Sequence, residues 1–175
     1  DARTYVKKCE KKYDLIILDL FFADGVPEHL TTNEFYKNLD NCLNENGVIL
    51  SNSLMDFSNE LALNSVLSTF SNQFDDLHFF HKPGAEVGNL YIVAGKNGTS
   101  KRVEGLNVSL DFIPKGIKPK VIQVLRNAKK FKKEDFNDQN ILYDEKNQFS
   151  IIFAKILPKY RKLVTSLVPS RILIN

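Results

Sequence analysis

Cysteine is scarce in this 175-residue chain: only Cys9 and Cys42 occur, and they stand in neither metal-ligand spacing nor a disulfide framework. Both are expected to be buried thiols. The three histidines, His29, His78 and His81, are not spaced as a metal set, so neither zinc nor any other metal is expected. No apolar run approaches the ~20 residues that a membrane span needs, and the opening DARTYVKKCE lacks the apolar core of a secretory signal. A cytoplasmic setting without a membrane partner is therefore expected. Nor is there a GxGxxG, a Walker motif, an HExxH, a nucleophile elbow, an internal repeat or a low-complexity segment. What remains for catalysis is carboxylate chemistry.

The composition, 43% hydrophobic and 26% charged, is that of a globular domain rather than a disordered chain or a coiled coil. The net charge of +3 hides an asymmetry. Residues 1–100 hold 8 Lys/Arg against 14 Asp/Glu, and residues 101–175 hold 16 against 7. An acidic front suits a cationic substrate and disfavours nucleic acid there; the basic tail reads first as a solvated surface. Lys129, Lys130, Lys132 and Lys133 have only Phe131 among them, so nucleic acid is not expected as a partner of that run.

Along the first hundred residues, short apolar runs alternate with helix-period segments, as in the βα units of a parallel sheet. Residues 2–11 read as a short helix. Leu15, Ile16, Ile17 and Leu18 form an unbroken run, expected to be a central strand covered on both faces, with Asp19 at its carboxyl end. Residues 19–30 read as a loop, and Thr31, Thr32, Asn33 and Glu34 spell a capping box before a helix that Asn46 and Gly47 end. Val48, Ile49 and Leu50 make a second strand, with Ser51, Asn52 and Ser53 at its carboxyl end as a second crevice edge. A helix is expected over roughly Asn59 to Phe74. Strands at Leu77 to His81 and Leu90 to Ala94 then pair antiparallel across a short glycine-bearing connection. Beyond Gly98 the pattern weakens to a strand at Val108 to Ile113, a basic amphipathic helix through Val121, Val124, Leu125 and Ala128, and a last helix from Ser150 to Val164 with Pro158 as a kink or break. The Val121, Val124 and Leu125 face is expected to pack on the sheet.

Asp19, Asp24 and Glu28 fall in one loop that starts at a buried strand, with His29 adjacent. A carboxylate there costs free energy unless a cation or hydrogen bonds compensate it, which marks the loop as a candidate site. Phe21 and Phe22 are expected to pack under a helix and His29 to lie on the surface.

These residues carry a resemblance. YDLIILDLFFADGVPEHLTTNEFY, followed by LDNCLNENGVILSNS, resembles the spermidine synthase (polyamine aminopropyltransferase) family, especially its spermidine synthase-like branch. Asp1-Ala2 is similar to that family's GDA segment, and ILYDEKNQF loosely resembles a family segment with paired acids, here Asp144 and Glu145. The resemblance implies a Rossmann-like α/β fold of the class I S-adenosylmethionine-dependent methyltransferase type, of which this chain carries the C-terminal half. It implies division into residues 1–98, part of the catalytic domain, and a basic extension, 99–175. Asp19 is implied as the general base, Asp24 as an acid holding a cationic amine, Asp1 and Ala2 as adenine contacts, and Tyr13 and Asp14 as the lead-in to the catalytic strand; Glu28, from the same acidic loop, is a further candidate for binding the amine. The implied donor is decarboxylated S-adenosylmethionine, with S-adenosylmethionine itself as the methyltransferase alternative and a non-enzymatic binding module as the other. A homo-oligomer is compatible with it. Two departures stand out: the loop acids are five apart instead of three, and the glycine-rich first turn of the family has no counterpart in this chain.

Overall fold

The computed structural model describes residues 1–20, 26–96, 111, 113–135, 137–154 and 156–167. Helix α1 covers Ala2–Lys7, shorter than expected, with Asp1 as its N-cap. Strand β1 (Tyr13–Leu18) leads through a single helical turn at Glu28–Leu30 to α2 (Asn33–Asn41). The capping box forms only in part. Thr32 is the cap, its Oγ1 accepting from the Phe35 amide at 3.3 Å. Glu34 does not reach back to the cap; its carboxylate accepts from the Asp144 amide at 3.1 Å.

Strand β2 runs from Leu43 to Asp56, much longer than expected, because α2 stops at Asn41 with Cys42 as its C-cap. Gly47 therefore does not end the helix. It lies within β2, at the step where pairing jumps from Tyr13↔Leu43 to Leu15↔Val48. A Cβ there would come within 2.9 Å of the Tyr13 carbonyl oxygen and of Leu43 Cδ2, so close backbone approach is what requires glycine.

Helix α3 (Glu60–Ser71) links β2 to β3 (Asp76–His81), and a hairpin returns the chain as β4 (Val87–Gly95). Gly84, at φ +72°, supplies the left-handed residue of that turn. The sheet order is β1-β2-β4-β3-β5, with β5 at Lys129–Lys130; β1 and β2 are parallel, and the other pairings are antiparallel. The expected antiparallel pair thus sits beside a parallel βαβ unit. Phe35, Leu39, Val66 and Phe70 of α2 and α3 bury one sheet face with Ile49, Leu90 and Ile92. Tyr36 stacks on Phe70 with ring centroids 4.0 Å apart.

Contrary to expectation, β1 is not covered on both faces. Among the described residues it pairs only with β2, at the edge of the sheet, and Leu15 and Ile17 are 53% and 61% exposed. No described layer lies over that end of their face, so the apolar run marks a strand without marking its burial.

Helix α4 (Lys118–Arg126) packs on β3, with Pro119 in its first turn, where a missing amide costs nothing. Val121 is half-buried; the side chains of Val124 and Leu125, and most of the strand expected at 108–113, lie outside the described residues. The last expected helix is two, α5 (Phe149–Phe153) and α6 (Ile156–Leu167). Pro158 cannot donate to the carbonyl of Ala154, four residues back, and the chain breaks there. Phe131, Leu142 and Phe149 join the main core. Helix α3 is consequently enclosed between sheet and tail, which buries Ser65, Ser68 and Thr69 along with its apolar face. Thr69 Oγ1 donates to the Ser65 carbonyl at 2.6 Å and accepts from the Leu142 amide at 3.0 Å, so burial leaves it satisfied. No helix among the described residues is long and apolar enough to cross a membrane.

Candidate functional site

The parallel pairing of β1 with β2 brings their carboxyl-side residues together. Asp19 follows directly on β1 and is exposed, contrary to the partial burial expected from its place after the apolar run. Its Oδ1 accepts from Asn52 Nδ2 at 2.9 Å. Asn52 lies within β2 rather than beyond its end, because β2 continues to Asp56. The other amide atom, Asn52 Oδ1, is buried and has no hydrogen-bond partner among the described residues. A buried orphan acceptor beside an exposed carboxylate is a costly arrangement without a donor to complete it. Ammonium groups, with several N–H donors, match that demand.

A second grouping forms around the helical turn Glu28–Leu30. Asp1 Oδ1 accepts from the Thr4 amide at 2.9 Å, and Asp1 Oδ2 lies 3.1 Å from His29 Nε2. The exposed His29 therefore ties the turn to the start of α1. Ala2 is half-buried against the core. Arg3 donates to the His29 carbonyl at 2.6 Å and to Thr32 Oγ1 at 3.2 Å, and forms an ion pair with Asp144 from the tail. Burial disfavours the Asp144 carboxylate, yet hydrogen bonds from Arg3 and Thr32 outweigh it and hold its carboxyl below the ordinary value. Glu28 takes two bonds from the tail: Ser150 Oγ to Oε2 at 2.9 Å and Asn147 Nδ2 to its carbonyl at 2.8 Å.

The structure thus brings Asp1, Ala2 and Glu28 to one neighbourhood, and Asp19 to Asn52. Asp24, Phe21 and Phe22 lie outside the described residues. Arg3, Asn147 and Ser150 had no signal in the sequence. Asn52 had one, as a polar residue after an apolar strand. Cys42 is buried as expected and Cys9 only half-buried; burial and the neighbouring Cys9 thiol push Cys42 up to about 12. Among the described residues no cluster of His, Cys, Asp and Glu could hold a metal.

Residues 1–84 match the family model described as the spermine/spermidine synthase domain. A polyamine aminopropyltransferase of Vibrio vulnificus is 34% identical over 97 residues, covering 54% of this chain and 31% of that protein. One from Buchnera aphidicola is 30% identical over 125 residues and covers 64% of this chain, more than its first 98 residues alone would supply, and 43% of that protein. Similarity therefore reaches past the hairpin into the tail. The chain spans between about a third and less than half of the length of these relatives. Among solved structures, a probable spermidine synthase from Corynebacterium glutamicum superposes with a TM-score of 0.50 at 21% identity, covering 62% of this chain and 44% of that one. The expected Rossmann-like, methyltransferase-type fold is the fold found.

Proposed function

Because residues 1–84 match the spermine/spermidine synthase domain and curated polyamine aminopropyltransferases align over the same region, we propose that this chain is the carboxy-terminal part of a polyamine aminopropyltransferase. In this reading residues 1–98 belong to the catalytic domain and 99–175 form its extension. The transferred group is an aminopropyl chain, the donor decarboxylated S-adenosylmethionine, and the acceptor a small amine such as putrescine.

The observation that carries the reading is the Asp19–Asn52 pair. A diamine is dicationic at neutral pH, so its attacking nitrogen must lose a proton before its lone pair is available. Asp19 takes that proton. Asn52 holds Asp19 Oδ1, which leaves Oδ2 toward the amine, and the orphan Asn52 Oδ1 accepts a second N–H and orients the nitrogen. The new C–N bond forms as the carbon–sulfonium bond breaks, and sulfur keeps that electron pair as a neutral thioether. Asp24 and the Oε1 of Glu28 hold the distal cationic end, Ser150 having taken Oε2.

Asp1 and Ala2 contribute the adenine corner of the donor site. The Asp1 carboxylate is fixed there by Thr4 and His29. One corner is not a site, so the isolated chain is expected to bind methylthioadenosine weakly in calorimetric titration; micromolar affinity would sink the partial-site reading.

The direct test is Asp19→Asn in the complete polypeptide, assayed with decarboxylated S-adenosylmethionine and putrescine. The change preserves shape but removes proton acceptance, so kcat should fall by roughly 10²–10⁴ with donor affinity little changed. Full turnover in that variant would remove Asp19 from catalysis. Consumption of S-adenosylmethionine alone, without spermidine formation, would replace aminopropyl transfer by methyl transfer.

A further inference from the structure

A hollow of about 1200 Å³ lies apart from the Asp19 crevice. It lies between the β3–β4 hairpin, α4 and α6, and Tyr91 of β4 contributes to its lining. Lys82 comes from the hairpin, Lys120 from α4, and Lys159 and Lys162 from α6. Glu86 is the one acid among the described residues lining it, and Lys159 already binds it at 3.3 Å. Lys159 is further engaged by the buried Asp56 at 2.6 Å, which fixes α6 against the end of β2. Lys82, Lys120 and Lys162 have no ion pair among the described residues. Among the described residues the hollow is therefore walled by three lysines without an ion pair, brought from well-separated parts of the chain.

Two features separate it from a merely basic surface. Tyr91, which lines the hollow, has one ring face stacked on Phe80 with centroids 5.2 Å apart, so the hollow contains an aromatic ring held in place from behind. Gln123 lines both this hollow and a second one on α4, of about 510 Å³, which adds Lys115, Arg126 and Lys118, the last of them ion-paired with Asp111 at 3.0 Å. The cations thus follow a track and not a point. Lysines spaced along a groove that contains a stacking aromatic are the physical requirements for holding an unpaired nucleic acid strand: the ammoniums follow the phosphates and the ring takes a base.

We propose that this groove binds single-stranded nucleic acid, without sequence preference, at a site separate from the Asp19 crevice. The sequence favoured no such partner because it pointed to the 129–133 lysine run. The residues used here are far apart in the chain and meet only in the fold.

The experiment uses this chain and a fluorescein-labelled oligouridylate of ~20 nucleotides, read by anisotropy. Three lysine–phosphate contacts predict a log–log salt slope of about −2, hence a roughly 15-fold loss of affinity between about 50 and about 200 mM salt. The triple variant Lys82→Glu, Lys120→Glu, Lys162→Glu changes only exposed side chains. It should keep the parent's circular dichroism and lose binding at least about tenfold. Tyr91→Ala should weaken binding by about tenfold without altering the slope, and Tyr91→Phe should restore it. Lys37→Glu, an exposed change on α2, is the control and should leave binding intact. Absence of binding at low salt would overturn the proposal. So would unchanged binding in the triple variant, or polyglutamate of matched charge binding as tightly as the oligonucleotide while Tyr91→Ala has no effect. None of these outcomes depends on aminopropyl transfer, so the two proposals fail separately.

Discussion

The front of the chain, through β4, and the tail that follows are held by different means. In the front, side chains at regular helical or strand spacing meet in one apolar layer, and Phe35, Phe70, Ile49 and Ile92 are fully buried there. The tail supplies a few separated apolar anchors, Phe131, Leu142, Phe149 and Ile156. Between them it relies on polar bonds to the front: Asn137 and Leu142 to α3, Asn147 and Ser150 to Glu28, Asp144 to Arg3, and Lys159 to Asp56. The charge asymmetry parallels this division. Glu28 and Glu34 of the front take neutral donors from the tail, while Asp56 and Asp76 take its cations Lys159 and Lys130, so part of the opposite charge is spent inside the molecule.

The sharpest test of this division is Phe70→Ala. It removes a ring from the fully buried centre and should cost about 3–5 kcal/mol of unfolding free energy in denaturant titration. A loss below about 1 kcal/mol would mean that the front is not the core.

Asp56→Ala probes the polar mode. It deprives the Ser58 amide, the Ser58 hydroxyl and Lys159 of their acceptor and should cost about 1–3 kcal/mol. The pH dependence follows from the same group. Burial disfavours its charge, but the Lys159 and Ser58 hydrogen bonds outweigh burial and hold its carboxyl below the ordinary 3.8. Its contribution is complete above that ordinary value and is lost as pH falls through the lowered one. In an acid titration followed by fluorescence or circular dichroism, the wild-type chain should therefore lose stability relative to Asp56→Ala below about pH 4.

A smaller effect, under about 1 kcal/mol, is expected from Asp144→Asn, because its side chain is 38% exposed and its ion pair is partly screened. Hydrogen exchange of the 143–150 segment should increase in that variant even where global stability barely moves. Ile17→Thr should be the mildest, within about 0.5 kcal/mol, since its side chain is already in water. A cost of several kcal/mol there would mean that this face is covered in solution.

These contrasts also explain what the sequence revealed. β2, the hairpin and the two helices were legible because each buries an apolar face, and β1 because its unbroken apolar run spells a strand even where half of it is exposed. Gly47 was misread because a glycine ending a helix and a glycine admitting a neighbouring carbonyl look alike in one dimension. Pro158 was read as a kink or break, and its missing donor makes it a break. In the tail, Leu142 and Phe149 stand alone among polar residues, and their burial depends on Thr69 and α3, some seventy positions away. The same holds for the candidate site. Asp19 announced itself by ending an apolar strand, whereas the partners of Glu28 are set by a return of the chain that no local pattern encodes.

The outer edge of β1 has a consequence for the behaviour of this chain in bulk solution. Its backbone donors and acceptors on that side meet no strand among the described residues, and Leu15 and Ile17 add adhesive side chains beside them. Such a rim templates strand addition from any neighbour, and unlike many natural rims it has no proline to blunt it. Colloidal behaviour would then deteriorate with concentration well before heat loosens the fold, and a lysine at position 15 or 17 should improve handling more than any gain in melting temperature. Turbidity measured against protein concentration, at a temperature where circular dichroism is unchanged, separates those two kinds of fragility.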